Sequence, residues 1–145
     1  MAIAARPEPS SVAVQVRMQR QPSRDTAAEL AFRRVLHQRG LRYRLQRRPI
    51  PGVRRTADLV FDRAKVAVYV DGCFWHGCPD HYARPHANAA YWVPKIEGNR
   101  RRDADTDARL ESAGWAVFRI WEHEDPEAAA DRLEALLGKR LAVRR

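Results

Sequence analysis

The sequence predicts an α/β domain built on one mixed sheet flanked by helices. Three observations carry that reading. Caps and stops mark three helical segments, while four short segments alternate or run apolar as strands do. Their order is helix, three strands, helix, strand, helix. The chain has 145 residues at 45% hydrophobic, one domain's worth and enough for a core, which excludes wholesale disorder. No internal repeat is visible.

Residues 1–23 carry Pro7, Pro9, Pro22 and several arginines, and read as a mobile basic arm. The first helix opens at Asp25-Thr26, where Thr26 with Glu29 fits a capping box. Phe32, Val35 and Leu36 form its apolar stripe, and Gly40 ends it. Leu41-Arg42-Tyr43-Arg44-Leu45 alternates with the period of a half-buried strand. A basic loop from Arg47 to Arg55 follows, punctuated by Pro49, Pro51 and Gly52. Ala57–Phe61 and Lys65–Val70 read as a hairpin whose second strand is central and buried on both faces. Residues 71–92 have no periodicity. Pro94 suits a helix N1 position, predicting a helix from there to about Ala113 that Gly114 stops. Ala116–Trp121 is the last strand, and Asp125-Pro126 opens a helix from Glu127 to Leu137. The expected organisation is therefore an arm (1–23), one domain (24–138) and a basic tail (139–145).

Charge is unevenly spread. The formal net charge is +9, but residues 1–55 hold 13 basic and 3 acidic residues while the remainder is close to neutral. A basic arm on a neutral body suits a polyanion, most simply nucleic acid; solubility alone is the bland alternative. The longest apolar run, Val66 to Val70, is far short of the roughly 20 residues of a membrane span. The first residues lack a signal-peptide core and two cysteines make no disulfide framework, so a cytoplasmic protein with free thiols is expected.

Those cysteines sit in the densest chemistry of the chain, Asp71-Gly72-Cys73-Phe74-Trp75-His76-Gly77-Cys78-Pro79-Asp80-His81. The spacing is C-x4-C followed by C-x2-H, three soft or borderline ligands suited to zinc. A structural zinc takes four ligands. His123, just past the last strand, is the best distant candidate, with His76 and His86 as competitors. A staple is what a long irregular loop in a small domain needs.

Asp58 interrupts an apolar strand, where a carboxylate is costly unless paired or bound to a metal. Asp71 ends the neighbouring strand, Glu29 lies on the first helix and Asp103 on the second. Converging carboxylates make a hard-oxygen site suited to Mg²⁺, which can neutralise a phosphodiester and lower the pKa of an attacking water. The plainer readings are a helix cap for Glu29, a surface charge for Asp103 and a turn residue for Asp71. His76 has the chemistry of a general base or a phosphate ligand, and equally of a zinc ligand. Phe74, Trp75, Tyr91 and Trp92 offer rings to wedge or stack between bases, or to cover a zinc loop.

The run from Asp71 to Pro79 resembles the hallmark of the very short patch repair endonucleases, the DNA mismatch endonuclease family. Thr26 with Glu29, Gly40 to Arg44, Pro51-Gly52, Ala57-Asp58-Leu59-Val60, Tyr91-Trp92 with Lys95, Asn99 with Asp103, and Gly114-Trp115 to Trp121-Glu122 fall in the family's order. The resemblance spans about Arg20 to Glu134. It implies a restriction-endonuclease-like (PD-(D/E)xK-related) core with a structural zinc loop. It implies Mg²⁺-dependent nicking, with one or two ions, 5′ to the thymine of a T:G mismatch left by deamination of 5-methylcytosine. Asp58 would hold the metal with the main-chain carbonyl of Val70. Glu29 and His76 would hold and activate the attacking water, with Asp103 in support. Phe74, Trp75 and Trp92 would enter the helix beside the mismatch. Cys73, Cys78, His81 and His123 would bind one zinc.

The chain departs from the pattern in places. Some members carry a catalytic histidine where this chain has Asp71, and a cysteine where it has His123, and they differ around His81. Expected partners are duplex DNA bearing the mismatch and, functionally, a cytosine-5 DNA methyltransferase and mismatch-repair proteins. A monomer acting away from membranes is expected. The alternatives are a restriction-type endonuclease acting on matched or modified DNA, a zinc-stabilised DNA-binding module that cuts nothing, and an RNA binder.

Overall fold

A computed structural model of the chain describes residues 26–72 and 89–143. Its elements follow the expected order: α1 (Ala27–Gln38), β1 (Arg44–Arg47), β2 (Ala57–Phe61), β3 (Val66–Asp71), α2 (Ala89–Ser112), β4 (Ala116–Trp121) and α3 (Pro126–Val143). The strands form one mixed sheet in the order β1-β2-β3-β4. β1, β2 and β3 pair antiparallel, and β4 joins β3 in parallel through α2. The predicted α/β architecture is what forms. No helix among the described residues is long and apolar enough to cross a membrane.

Local signals set the boundaries. The Thr26 hydroxyl accepts from the Glu29 N–H at 3.2 Å, capping α1. At the other end, Gly40 N–H donates to His37 C=O and Leu41 N–H to Leu36 C=O, with Gly40 at φ +77°. The same pair of bonds closes α2 around Gly114 at φ +88°. Asp125 caps α3 by accepting from the Ala128 N–H at 3.1 Å.

Three boundaries depart from the sequence reading by about three residues or more. β1 begins at Arg44, not Leu41, because the Leu41 N–H is spent closing α1. α2 begins at Ala89, so Pro94 lies inside it rather than at N1. Side chains four apart hold the extra turn: Trp92 and Ile96 are both buried, and the Lys95 ammonium lies 4.9 Å from the Tyr91 ring centroid. α3 continues to Val143, because Leu137 and Leu141 extend its packed stripe past Gly138.

Two cores result from the alternation of the strands. The larger lies between the sheet and the pair α1 and α3, where Phe32, Leu36, Leu59, Val66, Val68 and Leu133 are fully buried. Phe32 stacks on Phe118, with ring centroids 6.5 Å apart. The smaller core lies on the α2 side and gathers Ala57, Val60, Ala67, Tyr69 and Leu110.

Candidate active site

The smaller core stops short of the C-terminal ends of β3 and β4. There the α2 side opens into a cleft of about 310 Å³, lined by Arg54, Arg55, Thr56, Asp58, Tyr69, Val70, Asp71, Arg102, Asp103, Thr106 and Arg119. Four of the predicted site residues, Asp58, Val70, Asp71 and Asp103, thus meet in one place.

Asp58 sits mid-strand on β2, and both its oxygens are engaged. Oδ2 accepts from the Val70 N–H at 2.8 Å, and Oδ1 accepts from Gln46 Nε2 at 3.4 Å. The hydrogen-bonded register of β1 on β2 sets Gln46 beside it. Burial pushes its pKa up to about 6, and the charges of Glu29 and Asp71 push the same way, against the two hydrogen bonds. Glu29 comes from the first turn of α1. Its carboxylate is buried and accepts from Arg33 Nη1 at 3.2 Å, so it is more than a helix cap.

Asp71 is 5% exposed and faces Arg119 on β4, whose Nη1 donates to Oδ1 at 3.1 Å and to Oδ2 at 3.0 Å. Arg119 also donates through Nε to both oxygens of Asp107, at 2.9 and 3.1 Å. It lies 3.8 Å from Asp103 and stacks 4.2 Å from the Tyr69 ring centroid. Burial alone lowers the pKa of this guanidinium. The Asp107 hydrogen bond and the charges of Asp71 and Asp103 raise it above its ordinary value. Asp103 is therefore no stray surface charge. Sequence reading passes over Arg119, although it breaks the apolar run of β4 as Asp58 breaks that of β2.

Among the described residues, no three His, Cys, Asp or Glu side chains group closely enough to hold a metal ion. Mg²⁺ does not need three, since it keeps waters and takes one or two carboxylates together with substrate phosphates. Asp58 fits that demand: it is a half-buried hard-oxygen donor with two further negative charges acting on it. The Asp71 carboxylate is committed to Arg119 instead.

Cys73, Phe74, Trp75, His76, Cys78 and His81 lie outside the described residues. His123 is exposed in the turn after β4. Trp92 is 8% exposed and packs edge-on against Tyr91, so its ring is turned away from solvent.

Comparison with known proteins adds a second kind of finding. A family model described as DNA mismatch endonuclease Vsr matches residues 12–82. The type II nicking enzyme V.NaeI of Lentzea aerocolonigenes is 42% identical over 125 residues, covering 85% of this chain and 75% of that protein. The type II nicking enzyme V.XorIIP of Xanthomonas oryzae pv. oryzae is 42% identical over 124 residues, covering 83% and 85%. The DNA mismatch endonuclease Vsr of Escherichia coli is 34% identical over 101 residues, covering 69% and 63%.

Proposed function

The chain belongs to the Vsr family of DNA endonucleases, and on that premise we propose that it nicks one strand of duplex DNA 5′ to the thymine of a T:G mismatch. The observation that carries the reading is Asp58. A half-buried carboxylate whose pKa is pushed up to about 6, beside the acids Glu29 and Asp71, is a poor structural element and a good cation ligand. One relative is named a mismatch endonuclease and others nicking enzymes, which supports single-strand cutting.

Asp58 and the main-chain carbonyl of Val70 are the proposed Mg²⁺ ligands, on a core we take to be restriction-endonuclease-like. The bound ion would stabilise charge on the scissile phosphate and acidify the attacking water. Gln46 and the Val70 N–H fix the Asp58 carboxylate before substrate arrives. Glu29, buried at the base of α1, orients the water, and His76 accepts its proton. Arg119 pairs with Asp71 and turns it toward β4, and Asp71 acts on Asp58 as a neighbouring charge. Phe74 and Trp75 enter the helix beside the mismatch, and Trp92 joins them only by swinging out of its buried position.

For zinc, Cys73, Cys78, His81 and His123 are the proposed ligands. The register supports the distant one. Asp71 pairs with Trp121, and the Glu122 N–H donates to the Asp71 C=O at 2.9 Å. The strand leading to Cys73 and the turn carrying His123 therefore leave the sheet side by side.

The test is a labelled duplex with one T:G pair beside its fully matched counterpart. Mg²⁺-dependent nicking of the first alone is expected, and Asp58→Ala should reduce it at least about a thousandfold, several kcal/mol of barrier. Equal cutting of both duplexes would favour a restriction-type activity. Unchanged cutting by Asp58→Ala would sink the active site.

A further inference from the structure

The cleft contains an imbalance of charge that the catalytic reading leaves unused. Around it, several arginines are paired with acids. Arg119 is held by Asp71 and Asp107. Arg55 reaches Asp105 at 2.6 Å, and Arg109 shares the same carboxylate at 2.9 Å. Arg54 and Arg102 line the same cleft, both exposed, and have no ion-pair partner among the described residues.

Their placement is built. Arg55 latches the loop before β2 onto α2, donating to Asp105, to Thr106 Oγ1 at 2.8 Å and to the Arg102 C=O at 3.3 Å. Thr106 Oγ1 in turn donates to that carbonyl at 2.8 Å. One unmatched arginine is the chain neighbour of the latch, and the other supplies its backbone acceptor. The latch thus anchors the backbone that carries both arginines, and both line the cleft that contains Asp58. Carboxylates within and free arginines at the edge divide the cleft into a place for a cation and a place for an anion.

We propose that Arg54 and Arg102 together grip one backbone phosphate of the duplex, next to the phosphate that is cut. Guanidinium is the suitable group, because its fork pairs with phosphate oxygens through two parallel hydrogen bonds. The contact is made to the backbone and reads no base, so it holds register without adding sequence preference. The proposal rests on the DNA endonuclease reading, but not on T:G specificity.

The experiment measures binding without Mg²⁺, by fluorescence anisotropy of T:G and matched duplexes between 50 and 200 mM salt, roughly the range over which phosphate contacts weaken most visibly. Arg54→Gln and Arg102→Gln should each weaken binding about fivefold at low salt, equally on both duplexes. The double variant should lower the slope of log affinity against log salt by about 0.9, the value for one lost phosphate neutralisation, and each single variant by part of that. Arg54→Lys should keep the slope, since it keeps the charge. Lys139→Gln, on α3 across the sheet, controls for net charge and should leave the slope alone. An unchanged slope in the Arg54→Gln/Arg102→Gln double variant overturns the grip, as does a slope loss from only one of the two. Equal nicking of T:G and matched DNA would remove mismatch specificity while leaving this slope test intact.

Discussion

The two faces of the sheet are built to opposite rules. On the α1 and α3 side, thirteen buried apolar residues among those described form one continuous core. On the α2 side, five buried residues cover one end, and the other end holds Asp58, Asp71, Asp103 and Arg119 around a cleft. The same strands serve both. β3 is apolar on either side along most of its length, and only its last residue, Asp71, turns charged. The lesson is that one well-packed face lets the other carry groups that folding alone would not keep. Local rules of burial fail at the proposed site, and hold elsewhere.

The largest test removes the supporting face. Leu133 on α3 is fully buried, and Leu133→Ala should cost about 2–5 kcal/mol, read from urea midpoints. Nicking per folded molecule, measured well below the melting temperature, should stay within about threefold of the parent, because Leu133 itself does not line the cleft. A collapse of specific activity in a protein that is still folded would break the division between the faces.

Next in size is a gain. Asp58 has a folded pKa of about 6 against an ordinary carboxylate value of 3.8. The folded state therefore binds the extra proton. Its contribution to stability is fully present below about pH 4, fades as pH rises, and is gone above about pH 6. Ionised Asp58 thus costs the fold about 2–3 kcal/mol at pH 7.5 without added Mg²⁺. Asp58→Asn should recover much of that at pH 7.5 and almost nothing at pH 4, in parallel urea titrations. A variant no more stable at pH 7.5 than at pH 4, relative to the parent, would show that the active face is not strained in this way. Nicking should rise with pH through about 6 in the parent, as the carboxylate ionises.

The comparison also explains what the sequence revealed. The apolar face was legible almost entirely, because alternation in β2, β3 and β4 and the caps at Thr26, Gly40, Gly114 and Asp125 are local signals. Asp58 was legible for the opposite reason, as a charge standing where periodicity demands an apolar side chain. Arg119 carried the same signal and went unread. Its meaning lies in the parallel pairing of β3 with β4, which sets Tyr69 beside Arg119 across some fifty residues of sequence. The early start of α2 was hidden because Pro94 speaks for a helix start locally, while burial of Trp92 and Ile96 speaks against it only in the fold. The pairing of Arg55 with Asp105 and Thr106 is likewise set by packing of the loop on α2, which no spacing announces.

The smallest expected effect tests where the two faces meet. Thr26 caps α1, the helix that packs the large core, and its hydroxyl accepts from the N–H of Glu29, whose charge acts on Asp58. As an N-cap, Thr26→Ala should cost about 1 kcal/mol of stability, and Thr26→Ser much less. If the cap only supports the core, nicking at low temperature should follow the folded fraction and nothing more. Because Glu29 is buried and fixed at that first turn, fraying there should move its carboxylate as well. The expected result is a loss of kcat several times larger than the loss of folded protein, with KM for DNA little changed and Thr26→Ser close to the parent. Activity that merely tracks folding in Thr26→Ala would confine Glu29 to a structural part and leave water placement to His76.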